Sequence, residues 1–308
     1  MRLIKKMNSA IQARGVIIVI RQCIAYILLK YTPIQFLSKR ILLLRAFFLI
    51  GYWPNTKNPK TFNEKILHRR AFMSDPRASI IADKWLGRRY IEARGLKDIL
   101  NEIYYVTSNP DTINFSALPQ RFVIKANYAS NLNIIVKNKE DLNIDEVVSK
   151  CNYWIIEQVN ILKRNPEIHY RDIRPLIIIE KYLDSLESQG LLDYKFWCSG
   201  GKVLFISVQA VVNGLRVSSM YDKDWNLQPF STGNKPIGLV NVNKPACLDK
   251  MIHIAERLCE GFSFLRVDLY CLNKSKIIFG ELTYNPGGGT ATFVPRKYDL
   301  ELGKLLEL

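Results

Sequence analysis

Two apolar runs near the C-terminal end, LRVDLY (265–270) and KIIFGELT (276–283), are separated by so few residues that they must pair with each other as antiparallel strands. With Asn273 to Lys276 as a four-residue loop, the register sets Asp268 opposite Glu281 and Arg266 opposite Thr283. All four then share one face, because side chains alternate along a strand. Directly opposed residues hold their Cβ atoms about 4.5 to 5.5 Å apart, a separation at which two carboxylates repel. A positive group is therefore required between them. Two candidates stay open: Arg266 itself, or Mg²⁺, a hard cation that takes oxygen ligands and shares them with substrate phosphates. The stretch that follows, Tyr284-Asn285-Pro286-Gly287-Gly288-Gly289-Thr290, lets backbone N–H groups approach an anion closely, and Asn285 offers a further oxygen. Taken alone, a triple glycine is equally a flexible turn.

Upstream of the hairpin the pattern alternates between helical and strand periods. Thr61-x-x-Glu64 has the spacing of a capping box in front of an apolar series, which predicts a helix start at Thr61. A second helix is expected from near Asp83 to a left-handed cap at Gly95. Residues 101–119 read as a short strand and loop, and RFVIKAN (121–127) and NLNIIVKN (131–138) as strands joined by a polar turn centred on Ser130. A helix follows over 141–163, then strands at 175–183, 192–198 and 202–212, the last two joined by Ser199-Gly200-Gly201, and a helix over 245–260. This order predicts an α+β protein with mixed or antiparallel sheets. Neither a GxGxxG nor a Walker-type loop is present, so no Rossmann or P-loop nucleotide site is supported.

Charge is distributed unevenly. The net charge is +16, and residues 1–63 carry Arg2, Lys5, Lys6, Arg14, Arg21, Lys30, Lys39, Arg40, Arg45, Lys57 and Lys60 with no acid before Glu64. The same region is apolar, but its runs at 15–20, 23–29 and 41–50 are interrupted by charge, whereas a spanning helix needs about 20 nearly uncharged residues. Residues 1–57 are therefore read as basic helices followed by a polar hinge, GYWPNTKNPK (51–60), rather than as a span or a secretory signal. Such a surface suits anionic lipid or an acidic polymer; alternatively its helices pack on the domain and the charges are merely solvated. Six cysteines without a C-x-x-C pair argue against zinc and a disulfide framework and for the cytoplasm. His68, His169 and His253 have no ligand spacing.

Several further residues carry weaker signals. Lys125 ends a strand next to a small-residue loop, a common way to hold a phosphate, though it equally marks where a strand reaches water. Asp83-Lys84 reads first as an N-cap, and Asp193 and Lys195 read first as a surface pair on one strand face. Asp222-x-Asp224 is literally the metal motif of many nucleotide-sugar enzymes, but YDKDWN more simply forms a turn. A nucleic-acid-binding role is not supported, because aromatics do not interleave with the basic residues.

In their order, NPKTFNEKI (58–66), ADKW (82–85), LPQRFVIKANYAS (118–130), IIIEKYL (177–183), DYKFWCSGGK (193–202), YDKDW (221–225), RVDLY (266–270), FGELT (279–283) and the closing YDLELGKLL resemble the TupA-like branch of the ATP-grasp superfamily. The resemblance runs from about Asn58 to the C-terminus. It implies an ATP-grasp fold, two α+β subdomains gripping ATP, with residues 58–120 as an N-terminal part and 121–308 as the core, divided into 121–183 and 184–308. It also implies a carboxylate–amine ligase that uses ATP and two Mg²⁺ ions through an acylphosphate. The products would be amides of an amino acid with an acidic glycan or lipid-linked sugar acid of a bacterial surface polysaccharide; a glycosyltransferase of the same pathway is the alternative.

Carried over by position, Lys84 and Lys125 match the two phosphate-holding lysines, and Ser130 matches the loop that covers the phosphates, with Asn131 where glycine is frequent. Glu180, Lys181 and Leu183 match the adenine linker, and Asp193 the ribose-binding acid, with Lys195 beside it. Arg266 matches the arginine that stabilises the transferring phosphoryl group, and Asp268 and Glu281 match the Mg²⁺ ligands. The usual third ligand is an Asn at the position of Thr283, which leaves Thr283 and Asn285 as candidates. The basic N-terminal region would hold such an enzyme against the inner face of the membrane.

Overall fold

A computed structural model describes residues 16–31, 39–73, 75–129, 132–163, 168–170, 172–184, 190–212, 215–233 and 242–308. Helices α1 (Val16–Tyr31) and α2 (Lys39–Ile50) pack against each other, and Val19, Ala25 and Ala46 on them are buried. Among the described residues, no helix is long and apolar enough to cross a membrane. The segment that follows is tied down rather than free: Tyr52 Oη donates to Asp299 Oδ2 at 2.6 Å, and the Asn55 N–H donates to Glu64 at 2.8 Å.

Helix α3 (Phe62–Phe72) begins with the expected capping box, Glu64 N–H donating to Thr61 Oγ1 at 3.1 Å and Thr61 N–H to Glu64 Oε2 at 3.0 Å. The helix expected from near Asp83 to Gly95 is α5 (Leu86–Ala93), and a short helix outside that expectation, α4 (Arg77–Ala82), precedes it. Asp83 closes α4 through its backbone N–H, which donates to Ser79 O at 3.2 Å, and opens α5 through its carboxylate, whose Oδ1 accepts from the N–H groups of Trp85 and Leu86. Gly95 takes the expected left-handed conformation, φ +68°.

The first sheet contains β1 (Ile103–Thr107), β2 (Phe122–Ala126), β3 (Asn133–Val136) and β4 (Ile177–Lys181) in the order β1-β4-β2-β3, every pairing antiparallel. Its apolar face, with Phe122, Ile124, Ile177 and Ile179, buries Cys151 and Trp154 of α6 (Ile144–Lys163). Ser130 and Asn131 lie outside the described residues.

The second sheet is built from β5 (Asp193–Ser199), β6 (Lys202–Val212), β7 (Leu215–Tyr221) and β8 (Leu227–Gln228). Short strand β9 (Ser231–Thr232) and helix α7 (Leu248–Cys259) precede β10 (Phe264–Leu272) and β11 (Lys276–Thr283). Its strand order is β11-β10-β5-β6-β7-β8, again antiparallel throughout. Strand β12 (Phe293–Val294) pairs with β9, and α8 (Lys297–Leu305) follows.

The period-2 alternation divides this sheet sharply. Phe196, Cys198, Leu265, Val267 and Leu269 face one core with Met251, Ile254 and Leu258 of α7. The opposite face begins with Trp197, Phe205 and Phe264, which pack with Phe62 of α3 and Leu302 of α8. Further along the same strands that face becomes charged: Asp193 and Lys195 on β5, Arg266 and Asp268 on β10, Glu281 and Thr283 on β11.

Candidate active site

The hairpin has the expected register, Asp268 opposite Glu281 and Arg266 opposite Thr283. It arrives there differently. Leu272 pairs with Lys276, so the loop is three residues, and a bulge between Asp268 and Leu269 on one strand and Phe279 and Glu281 on the other restores the register. The positive group between the opposed carboxylates is Arg266. Its Nε donates to Asp268 Oδ1 at 2.6 Å, and its Nη2 donates to Asp268 Oδ2 at 2.7 Å and Glu281 Oε1 at 2.6 Å.

A second cation shares the cluster. Lys195 Nζ lies 2.5 Å from both Asp268 Oδ2 and Asp193 Oδ2. Asp193 and Lys195 are therefore not the surface pair that their spacing suggests: β5 runs between β6 and β10 in the sheet interior, and Lys195 is buried. Burial opposes ionisation of Asp268, but Arg266 and Lys195 outweigh it and hold the carboxyl below its usual range. Asp193 shows the opposite balance, pushed up to about 6 by burial first and by the Asp268 charge second. Burial also works against the Arg266 charge, yet Asp268 and Glu281 raise its pKa overall.

Beside this cluster opens a cavity of about 430 Å³, lined among others by Lys84, Tyr128, Arg266, Glu281, Thr283 and Asn285, with Gly287 and Gly288 at its wall. Lys84 is placed there by the α4–α5 break. Its backbone N–H donates to Asn127 O at 3.0 Å, and Asn127 Nδ2 donates to Asp83 Oδ1 at 2.9 Å, so the end of β2 and the helix break are locked together. Lys84 Nζ donates to Ala126 O at 3.2 Å and Ala129 O at 2.5 Å. Burial, the largest influence, lowers its pKa to about 8 against the attraction of Glu281.

The sequence-predicted residues thus fall into three groups. Lys84, Arg266, Glu281, Thr283 and Asn285 line one cavity, with Asp268 buried directly behind Arg266. Asp193 and Lys195 join the cluster through Asp268. Lys125 forms an ion pair with Glu180, and Lys181 with Glu102 at 3.1 Å, while Leu183 lies just beyond β4. Lys181 also commits its backbone, its N–H donating to Glu102 O and its carbonyl accepting from Asn101 Nδ2.

Helix α3 supplies residues that sequence reasoning did not single out. Asn63 holds the segment after the glycines by both ends of its amide, Nδ2 donating to Ala291 O at 2.7 Å and Oδ1 accepting from Ala291 N–H at 2.8 Å. The Arg70 guanidinium donates to Gly288 O. Fully buried Arg69 donates to Phe264 O at 3.0 Å and lies 4.5 Å above the Tyr284 ring, pinning α3 to both strands of the hairpin. The available signal was Arg69-Arg70 on a helix whose neighbours are apolar, a costly place for charge unless it is paired.

Among the described residues, no three His, Cys, Asp or Glu side chains are grouped to hold a metal by themselves. The oxygen set at the cavity nevertheless fits a hard cation completed by phosphate oxygens: Glu281 and Thr283 line it, and Asn285 Oδ1 is buried there without a hydrogen-bond partner. By contrast, the Asp222-x-Asp224 motif is consumed by its own turn. Asp222 accepts from the N–H groups of Asp224 and Asn226 and from the amides of Asn226 and Gln228, and Asp224 pairs with Lys223.

The fold and this geometry can be set beside known proteins. Similar solved structures include an ADP complex of PurK, N5-carboxyaminoimidazole ribonucleotide synthetase, at 15% identity and a TM-score of 0.41, covering 68% of this chain and 46% of that one. Another is an ATP complex of D-alanine–D-alanine ligase from Bacillus anthracis at 16% identity and a TM-score of 0.40, covering 68% and 57%. A third, the ATP-grasp ligase PsnB with a phosphomimetic variant of its minimal precursor, Mg and ADP, gives 11% identity and a TM-score of 0.42, covering 87% and 67%. The chain spans about half the length of the first two, 46% and 57%. No curated protein sequence matches it. The TupA-like ATP-grasp family model matches residues 64–307, from the capping-box glutamate to the last helix. With its α+β architecture, this chain belongs to the TupA-like ATP-grasp family.

Proposed function

We propose that this protein is an ATP- and Mg²⁺-dependent carboxylate–amine ligase. The observation that carries the reading is the single cavity in which Lys84, Arg266 and the oxygens of Glu281, Thr283 and Asn285 converge. A cation-lined cavity next to oxygen donors is what phosphoryl transfer asks of a protein, since its catalysis rests on positioning and on charge neutralisation. The nucleotide phosphates are assigned to Lys84, Lys125 and Ser130. The adenine is assigned to Glu180, Lys181 and Leu183 and the ribose to Asp193, near Lys195. Residues 58–120 and the two halves of 121–308 are read as the parts that enclose it.

In the reaction, a substrate carboxylate oxygen attacks the γ-phosphorus and ADP leaves, giving an acylphosphate; an amine then displaces phosphate and the amide forms. Arg266 and Lys84 neutralise the charge on the transferring group, and the Gly287–Gly288 backbone borders the acyl end. Glu281 and Asn285, with Thr283 adjoining, are the residues that would hold Mg²⁺, whose contribution would be to offset phosphate charge; Asp268, the other ligand that the resemblance implies, has both oxygens engaged by Arg266 and Lys195 and acts by orienting Arg266. No nucleophilic side chain is needed. The substrate pair we favour is an amino acid and a sugar acid of a bacterial surface polysaccharide, handled in the cytoplasm. The Asp222 turn leaves a glycosyltransferase reading without a site of its own.

The test is ADP release from purified protein with amino acids and uronic-acid glycans in combination. Turnover that requires both, and that falls at least about a hundredfold in Arg266→Met, is expected. Folded protein that binds ATP but turns over with no carboxylate–amine pair would sink the ligase reading.

A further inference from the structure

Helix α1 carries an apolar face that nothing described covers. Val16, Ile20 and Ile27 are 53%, 52% and 53% exposed, Ile17 is 72% exposed, and Cys23 is exposed between them. Positions 16, 20, 23 and 27 lie within about 60° of one another on a helical wheel at 100° per residue, so they form one continuous ridge. Ala25, on the opposite side of the helix, is buried, as is Val19 at the edge of the ridge, and the helix is in contact with α2. The four ridge positions hold no charged residue; Arg40 is exposed on α2, while Arg21 is turned toward α2, with its guanidinium 5.7 Å from the Phe47 ring centroid. Monomeric soluble proteins rarely leave so contiguous an apolar face open.

Two occupants fit the shape. A second copy of the chain could pair ridge to ridge, since the 4-3-4 spacing is that of a coiled-coil seam. Charge decides against it: the segment carries Arg and Lys throughout and no acid before Glu64, so two copies would bring like charges together. The seam would also be short, because a 16-residue helix is about 24 Å long. An anionic bilayer accepts the ridge and is attracted by the segment's excess of Arg and Lys at once. At 16 residues the helix is too short to span, so it would lie in the interface plane.

We infer that α1 is an in-plane membrane anchor whose Val16, Ile20, Cys23 and Ile27 ridge enters the headgroup–acyl boundary of an anionic leaflet. The anchor stands apart from the catalytic cavity, so it can be right or wrong independently of the proposed ligase chemistry. The test uses full-length protein and vesicles of phosphatidylcholine alone or with about 30% phosphatidylglycerol. Sedimentation with the anionic vesicles only is expected, together with a blue-shifted emission from an environment-sensitive dye on Cys23, the exposed thiol. The double substitution Ile20→Ser, Ile27→Ser should lower vesicle partitioning by at least about tenfold while leaving the thermal midpoint in place, since both side chains are exposed. Equal binding of the double variant and the parent overturns the inference, as does absence of binding to both vesicles. A parent dimer that the double variant dissociates, with no vesicle binding, overturns it in favour of the second copy.

Discussion

Lys84 is the cavity residue whose charge the fold leaves most evenly balanced, and that balance can be measured. Burial, helped by the Lys125 charge and opposed by Glu281, brings its pKa from 10.5 to about 8. The drop corresponds to about 3 kcal/mol disfavouring the ammonium in the free protein. A nucleotide whose phosphates reach Lys84 restores the proton, so binding takes up protons in proportion to the neutral fraction beforehand. That fraction is about one-tenth at pH 7, one-half at pH 8 and nine-tenths at pH 9. Calorimetric titration with ADP, in two buffers of different ionisation enthalpy at each pH, reads the uptake as a slope. The expected values are about 0.1, 0.5 and 0.9 proton per ADP, and Lys84→Arg, which keeps its charge at every pH, should bind with none. A zero slope at pH 8 in the parent, or an unchanged slope in Lys84→Arg, refutes the placement of phosphate at this lysine. The unfolded chain binds the proton more tightly, so stability rises as pH climbs from about 8 through 10.5, and Lys84→Met removes that rise.

Three further outcomes follow from the charged cluster and the glycine loop. Asp268→Asn leaves Lys195 and Arg266 in a buried site with one counter-charge removed, and should cost about 3–5 kcal/mol in urea unfolding; a loss under about 1 kcal/mol contradicts the cluster. Asp193, whose pKa is raised from 3.8 to about 6, contributes stability that is fully present below pH 3.8 and lost as pH rises through 6. Asp193→Asn should therefore flatten the stability profile in that window by about 1–3 kcal/mol, as read by denaturation at stepped pH. Gly289→Ala places a Cβ 2.7 Å from Leu67 Cγ and 2.9 Å from Asn63 O at φ +72°, and should cost about 1–3 kcal/mol. If the loop borders the acyl site, kcat should also fall at a temperature well below the variant's melting point.

How much of this was legible in the sequence depended on whether the information was local. The capping box at Thr61 and Glu64, the left-handed Gly95 and the Asp222 turn are decided within a few residues, and composition alone exposes them. The burial of Asp193 and Lys195 is not local. Alternation places them on one face of β5, but whether that face meets water depends on β10 and β6 lying on either side, and β10 is some seventy residues further on. The same holds for Asn63 and Arg69, whose partners Ala291 and Phe264 lie about two hundred residues away.

The hairpin shows how a correct register can rest on an incorrect loop. Four loop residues and no bulge, or three loop residues and one bulge, give the same partner for Asp268, and the face rule distinguishes them only between the bulge and the turn. The bulge falls at Gly280, where an added Cβ would stand 3.0 Å from Asp268 O and 3.1 Å from the Tyr270 ring, so glycine is the residue that lets the strand kink there. Its effect is chemical as well as geometric. Beyond the kink, Glu281 and Thr283 turn onto the Arg266 face together, and the cavity gains its oxygens. Arg266 then has Asp268 behind it and Glu281 beside it, which holds the guanidinium charged and fixed in direction at the cavity wall. A phosphate entering that cavity competes for an arginine already oriented, rather than recruiting one from solvent.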